Sequence, residues 1–359
     1  MALRDEPLKA VAATAESRAA VAIAVSVTGA YRTLCRGGID RTGTASVTDR
    51  TRFEVGSVTK TFTALLLADT AARGEVGLRD RIAERLPYAA LPRGHGRAIT
   101  YEHLATHTSG LPRLPPGLLL KGMTSWFANP YRSFTPEMLL PALGRAVVHH
   151  PPGTLMRYSN LGVGLLGRLL ADGAGTDYGT MLRERVIDPL ELADTGTTAP
   201  DAPDDPDHRA DPAGPDPAYA VGYWHGRRRP PWAIPALPGA GAVRSSAHDL
   251  IRYLRAHLDP EDSDVPRSLR LPLAEVARIR ELPSEDEDKS GLAWSVRTLE
   301  GATLYFHCGA TRGCTAFVGL SPEREVCVAA LTNSGLTLRS RFIQSAYVLL
   351  RALAVGEAK

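Results

Sequence analysis

Apolar positions along the chain change period several times, and those changes outline its elements. Residues 7–18 carry their apolar residues on one side of a helix. Residues of about 20–27 and 31–38 alternate and are rich in β-branched side chains, which predicts two strands joined at Thr28-Gly29-Ala30. A third short strand near 51–54 feeds a helix expected from Ser57 to about Arg73, where Arg73-Gly74 is a C-cap signal. Residues of about 76–200 read as helical segments joined by loops. The Asp/Pro stretch 199–217 and the charged run 283–290 predict exposed loops. A helical pattern returns at about 246–258. Strand-like runs follow at 291–298, 302–307, 313–320 and 325–332, with Ser321-Pro322-Glu323-Arg324 as a hairpin turn, and an amphipathic helix closes the chain at about 338–354.

Strands at both ends of the chain predict one central antiparallel sheet with the terminal helices packed on it, an α/β (α+β) fold. The expected organisation is one catalytic domain over 1–359. Its α/β lobe would take about 1–75 and 239–359, its helical lobe about 76–238, and a cleft between lobes is a common place for a small-molecule site.

Composition narrows the function classes. The net charge of +3 is small and no basic run alternates with aromatics, so nucleic acid is not an expected partner. Arg227, Arg228 and Arg229 form the one dense basic run, read as a solvated loop with an anion-docking patch as the competing reading. No run of 18 apolar residues predicts a membrane helix. The first residues do not read as a secretory leader, so a cytoplasmic protein is expected. Cys35, Cys308, Cys314 and Cys327 lack metal-ligand spacing and read as reduced thiols.

Three segments carry candidate chemistry. Ser57 and Lys60 share a helix face, so the Lys60 amine can reach the Ser57 hydroxyl and take its proton. Ser57 falls at the expected first turn, where free N–H groups favour negative charge. The chain has five lysines against thirty-seven arginines, and only lysine can lose its charge to act as a base. The competing reading is an N-cap serine with a solvated lysine. The second segment is Arg157-Tyr158-Ser159-Asn160. A tyrosine hydroxyl held between cations loses its proton more readily than in water, and could serve as base or proton shuttle. Asn160 offers an amide that can bind Lys60 and a substrate carbonyl at once. A surface tyrosine and a helix-capping asparagine are the alternatives. The third segment is Phe306-His307-Cys308-Gly309-Ala310 on a strand. Gly309 lets a substrate approach the strand edge, and the Ala310 N–H can join that of Ser57 in an oxyanion hole. His307 could equally be an edge-strand histidine with no role.

Together these segments resemble the penicillin-recognising serine enzymes: class C β-lactamases, D-alanyl-D-alanine carboxypeptidases and β-lactamase-like family VIII esterases. Their pattern is Ser-x-x-Lys, Tyr-x-Asn, then Lys-Thr-Gly or His-x-Gly on a strand. The run Ile99–Pro112, containing Thr106-His107-Thr108-Ser109-Gly110-Leu111, is similar to a further signature of that family. So are Pro152-Gly153, Asp188-Pro189-Leu190 with Asp194-Thr195, and Gly239–Asp249. The resemblance covers about residues 15–335 and implies a β-lactamase-like fold. It further implies that Ser57, Lys60 and Tyr158 are catalytic, while Asn160, His307, Gly309 and Ala310 bind substrate or the oxyanion. His103 and His107 lie four apart, a zinc-like spacing, but the resemblance makes that segment structural. Neither a metal nor a cofactor is expected.

Departures from the pattern bear on substrate. His307 and Cys308 stand where true β-lactamases and carboxypeptidases usually carry Lys and Thr, and an imidazole and a thiol grip a carboxylate less well. The leading expectation is a serine hydrolase acting on a small-molecule ester or amide. The alternatives are an acyltransferase passing the acyl group to an amine or alcohol, and a binding protein that is acylated without turnover. The aromatic residues Trp126, Phe127, Tyr131 and Phe134, with Trp224 and Trp232, could form a water-excluding lid or simply pack a core.

Overall fold

The computed structural model describes residues 4–43, 45–118, 129–198, 219–281, 289–299 and 301–357. The first part of the chain is helix α1 (Glu6–Ala13), strands β1 (Val21–Val27), β2 (Ala30–Arg36) and β3 (Phe53–Glu54), a 3-10 turn at Gly56–Val58, and helix α2 (Thr59–Ala72). A mainly helical part follows, with α3 (Tyr101–Ala105), α4 (Pro136–Arg145), α5 (Asn160–Gly173) and α6 (Tyr178–Leu182). The chain then returns through β4 (Arg244–Ser245), α7 (Ala247–Leu258) and α8 (Arg267–Ala277). Strands β5 (Arg280–Glu281), β6 (Lys289–Ser290), β7 (Ser295–Leu299), β8 (Ala302–Ala310), β9 (Thr315–Ser321) and β10 (Val326–Thr332) complete the sheet, and α9 (Phe342–Val355) closes the chain.

Eight strands form one antiparallel sheet in the order β2-β1-β10-β9-β8-β7-β6-β5. Strand β1 therefore pairs with the last strand, and the two ends of the chain meet inside the sheet. Both faces are covered, so the inner strands read as near-continuous apolar runs. Val21, Ile23 and Val25 point to α1 and α9, with Val326, Val328 and Ala330 beside them. The alternate residues Ala22, Ala24, Ala329 and Leu331 join the larger core on the opposite face. There α7 lies on β1, β9 and β10.

Helix α2 is buried all the way from Thr59 to Thr70. A helix enclosed on every side must satisfy its polar side chains internally. Thr61 donates to Val58 O (2.9 Å), Thr70 to Leu66 O (2.7 Å), and Thr63 to Gly239 O (2.7 Å). Asp69 pairs with Arg73 and Arg185.

Several boundaries differ from the sequence reading. Helix α1 ends at Ala13 because Thr14 turns its hydroxyl onto Val11 O (2.6 Å), and the strand run expected at 291–298 begins only at Ser295. Gly291 to Trp294 instead form a turn in which Ala293 takes φ +60°. Lys289 and Ser290, expected in a loop, are strand β6. The last helix starts at Phe342. Helix α8 was absent from the sequence reading, since Pro272 interrupts a charged, weakly periodic segment. The Asp/Pro run 199–217 and most of the charged run 283–290 lie outside the described residues.

One packing contact fixes where the sheet meets α2. A Cβ on Gly309 would stand 1.9 Å from Val55 O, and one on Gly56, whose φ is +51°, would stand 2.7 Å from Ala310 O. Strand β8 and the turn into α2 thus touch backbone to backbone. Gly309→Ala should lower stability by about 1–3 kcal/mol through forced separation of these segments. Gly173→Ala, at the end of α5 with open space around it, should be neutral or slightly stabilising. Urea denaturation of both variants measures the contrast.

Candidate active site

The turn at Gly56–Val58 is held on two sides. Strand β3 pairs with β4 (Phe53 with Ser245, Glu54 with Arg244), and the Val55 N–H donates to Val243 O (3.1 Å). Glu54 accepts from the Thr311 hydroxyl (2.5 Å) and the Trp232 N–H (2.6 Å), tying the same turn to the end of β8. Strand β8 outruns its neighbour. It pairs with β7 only as far as Phe306, but with β9 as far as Ala310. The Thr311 N–H donates to Cys314 O (2.9 Å) and closes that hairpin. Antiparallel alternation then turns the N–H groups of Cys308 and Ala310 away from β9, toward the open side. Ser57 sits against this overhang, its N 3.1 Å from where a Gly309 Cβ would be.

Lys60 is wholly buried, and its Nζ donates to Ser57 Oγ (2.9 Å) and to Ala240 O (2.7 Å). Its third side faces Tyr158, with Nζ 5.1 Å from the ring centroid. Burial lowers the Lys60 pKa from its ordinary value. The charge of, and a hydrogen bond to, the Tyr158 hydroxyl oppose that shift, and Arg113 adds to it. Tyr158 lies half-buried between the Lys60 amine and the Arg113 guanidinium, which also stands over its ring (5.4 Å). Ser57, Lys60 and Tyr158 are therefore gathered at one point. The arrangement gives a serine hydroxyl a nearby amine whose pKa burial lowers, with a phenol beside it as a second group able to carry a proton.

His307 is also buried. Its Nδ1 lies 2.8 Å from Cys308 O, so Nδ1 carries the proton and Nε2 keeps a lone pair. Burial first, and Lys60 second, push its pKa down to about 3. His107, in the run before Tyr158, is held well below the usual histidine range by burial, Lys60 and His307.

Two expectations change. Asn160 does not bind Lys60: its Nδ2 donates to the Tyr131 hydroxyl (2.8 Å), and its Oδ1 is buried with no hydrogen-bond partner among the described residues. The sides of Lys60 are already taken by Ser57, Ala240 and Tyr158. Cys308 stands apart from the site. On a strand it alternates with His307 and Gly309, and it packs with Phe306 against the core under α9. Its thiol therefore has no bearing on a bound carboxylate. All four cysteines are free.

His103 and His107 do not act as a pair. Helix α3 ends at Ala105, so the four-residue spacing is not helical. His103 accepts the Thr100 N–H in a capping box, and His107 accepts the Ser159 N–H. Among the described residues, one group of three has ligand atoms within 4.8 Å of one another: Asp194, His248 and Asp249. Its oxygens already serve Thr195, Ser246, Arg50 and the Asp194 N–H, which stitch the start of α7.

Two neighbours escaped the sequence reading: Arg113 and the Ala240 carbonyl. Of the aromatic residues singled out there, Tyr131 and Trp232 meet edge-on at 5.7 Å, and Tyr131 reaches Asn160. Arg113 directly follows the signature run, which was its only signal. Trp126 and Phe127 lie outside the described residues. Trp224 packs against Arg229 and Arg312.

A family model described as Beta-lactamase matches residues 9–353. The chain is 28% identical to a beta-lactamase of Escherichia coli (strain K12), over 86% of this chain and 81% of that protein. It is 29% identical to penicillin-binding protein 4 of Amycolatopsis lactamdurans, over 88% and 81%. It is 26% identical to the D-alanyl-D-alanine-carboxypeptidase/endopeptidase AmpH of Escherichia coli (strain K12), over 79% and 71%. No described helix is long and apolar enough to cross a membrane.

The buried histidines give a pH dependence. His257, whose Nδ1 donates to Tyr253 O, is pushed down to about 4 by burial, His307 to about 3, and His107 in the same direction. In the unfolded chain each protonates near pH 6.5, roughly the free value. Between those limits the unfolded state binds more protons, so stability falls as pH falls. Urea unfolding should show a lower stability at about pH 5.5 than at about pH 7.5. His257→Leu should flatten that slope, whatever it does to stability at the higher pH.

Proposed function

The chain belongs to the beta-lactamase family, and we propose that within it this protein is a serine acyl-enzyme hydrolase of esterase or amidase type, acting on a small-molecule ester or amide. The observation that carries the reading is the wholly buried Lys60, whose Nζ lies 2.9 Å from the Ser57 hydroxyl. Ser57 Oγ attacks the substrate carbonyl as Lys60 and Tyr158 take its proton. The N–H groups of Ser57 and Ala310 receive the oxyanion. Tyr158 passes the proton to the leaving group, and the acyl group remains on Ser57. In the second half Tyr158 takes a proton from water, which attacks the acyl carbon; the bond to Ser57 Oγ breaks as that oxygen takes the proton back from Tyr158, and the acid is freed. Asn160 and His307 orient the substrate. Asn160 does so through Oδ1, which has no hydrogen-bond partner among the described residues.

His307 supports an ester or amide over a β-lactam. A β-lactam carries a carboxylate, and a neutral imidazole offers it no charge. The relatives named for beta-lactamase or carboxypeptidase activity make a cephalosporin the necessary comparison. A second reading, acyl transfer to an alcohol or amine, draws on the Tyr131–Trp232 pair. These aromatic rings border Asn160 and would keep water from the acyl-enzyme.

Intact-protein mass spectrometry of wild type and Ser57→Ala tests the reading. Each is incubated with a short-chain aryl ester, a cephalosporin, and the ester with a pool of amines. Wild type should gain the acyl mass and lose it as free acid, while Ser57→Ala gains none. Tyr158→Phe should slow turnover about 100- to 10,000-fold. Faster loss in the presence of amines, with amide product, would move the assignment to acyl transfer. Full turnover by Ser57→Ala would end it.

A further inference from the structure

His107 takes no part in the steps above, yet it grips the residues on both sides of Tyr158. Its carbonyl accepts the Arg157 N–H (2.7 Å), and its Nδ1 accepts the Ser159 N–H (3.2 Å). Its ring lies against the Tyr158 ring, with centroids 4.3 Å apart and planes inclined by 39°. The side chain is buried. Because Nδ1 accepts, the proton is on Nε2, which has no partner among the described residues. The backbone at His107 has φ +61°, a left-handed conformation that non-glycine residues rarely hold unless the surroundings impose it. An ordinary capping or packing role requires none of this.

We propose that His107 is a positioning residue that fixes the ring of Tyr158 over Lys60, through its stacked imidazole and its hold on Arg157 and Ser159. The inference rests on the reading of Tyr158 as the proton carrier. The left-handed turn brings the His107 carbonyl and side chain onto one segment, so backbone and ring of Tyr158 are set by a single residue. The neutral state of His107 fits this role. A cation there would add to Arg113 and press further on Lys60.

Two variants separate the hold from the ring. Asparagine tolerates the left-handed conformation, and its Oδ1 can accept the Ser159 N–H, but it lacks the ring. Phenylalanine keeps a ring and abandons that N–H. His107→Asn should melt near the wild-type temperature and bind the aryl ester with unchanged KM, while kcat falls about 10- to 100-fold, as for a reacting group displaced by about 1 Å. His107→Phe should lose melting temperature and retain more activity per folded molecule than His107→Asn. In protein carrying ¹³C-labelled tyrosine rings, with the signal assigned by Tyr158→Phe, His107→Asn should shift the Tyr158 resonance.

A folded His107→Asn with wild-type kcat and an unmoved Tyr158 signal would overturn the proposal. So would a loss of kcat in both variants that merely follows loss of folded protein. If wild type forms no acyl adduct, the reading of Ser57 fails instead. The Tyr158 resonance then still decides whether His107 sets that ring.

Discussion

Everything around this site depends on enclosing one primary amine. Taking an ammonium out of water costs several kcal/mol even after the protein relaxes. In return Lys60 is given a serine hydroxyl, a backbone carbonyl and the Tyr158 hydroxyl. No carboxylate among the described residues pairs with it. An Asp or Glu there would hold the proton on nitrogen and oppose the role as base proposed for it. The same logic extends outward. Both histidines nearest to Lys60 are kept neutral, and part of the cause is Lys60 itself. A site that keeps its amine ready to lose charge must also avoid storing charge elsewhere.

Backbone geometry makes that enclosure possible. Glycines at 56 and 309 let the turn before α2 meet the sheet backbone to backbone. The early end of β7 leaves the last residues of β8 unpaired on one side, where an antiparallel strand would otherwise use their N–H groups. The Ser57 hydroxyl, the Lys60 amine and the free N–H groups therefore come from the turn into α2, from α2 itself and from one overhanging strand. The phenol arrives from the helical part, just ahead of α5. Glu54 joins these pieces by accepting from Thr311 and Trp232 together.

Much of this was legible because local signals agreed with the final arrangement. The strands at both chain ends are short apolar, β-branched runs set between turn signals, and the Ser57–Lys60 spacing brings the two side chains together on the helical stretch where the structure puts them. Strand alternation alone also implies that Cys308 faces away from His307 and Gly309, and the sequence reading stopped short of that step. What was not legible came from contacts remote in sequence. Asn160 meets Tyr131, twenty-nine positions away, rather than Lys60. Lys60 meets Ala240, one hundred and eighty positions away, through a carbonyl that no side-chain pattern announces. Helix α8 tolerates Pro272 because it packs along α2, so tertiary contact outweighs a local breaker.

His107 shows how a spacing argument can mislead. Two histidines four apart suggest a shared helix face and hence a ligand pair, but α3 stops at Ala105 and the chain turns left-handed at His107. Holding a bulky residue in that conformation costs about 1–2 kcal/mol, which the surrounding hydrogen bonds must offset. The same turn that breaks the helical spacing delivers the imidazole to Tyr158. Strain at one residue is thus converted into fixed placement of another. A helix continued to His107 would have satisfied the backbone more cheaply, and it would have left the phenol beside Lys60 without the ring that now rests against it.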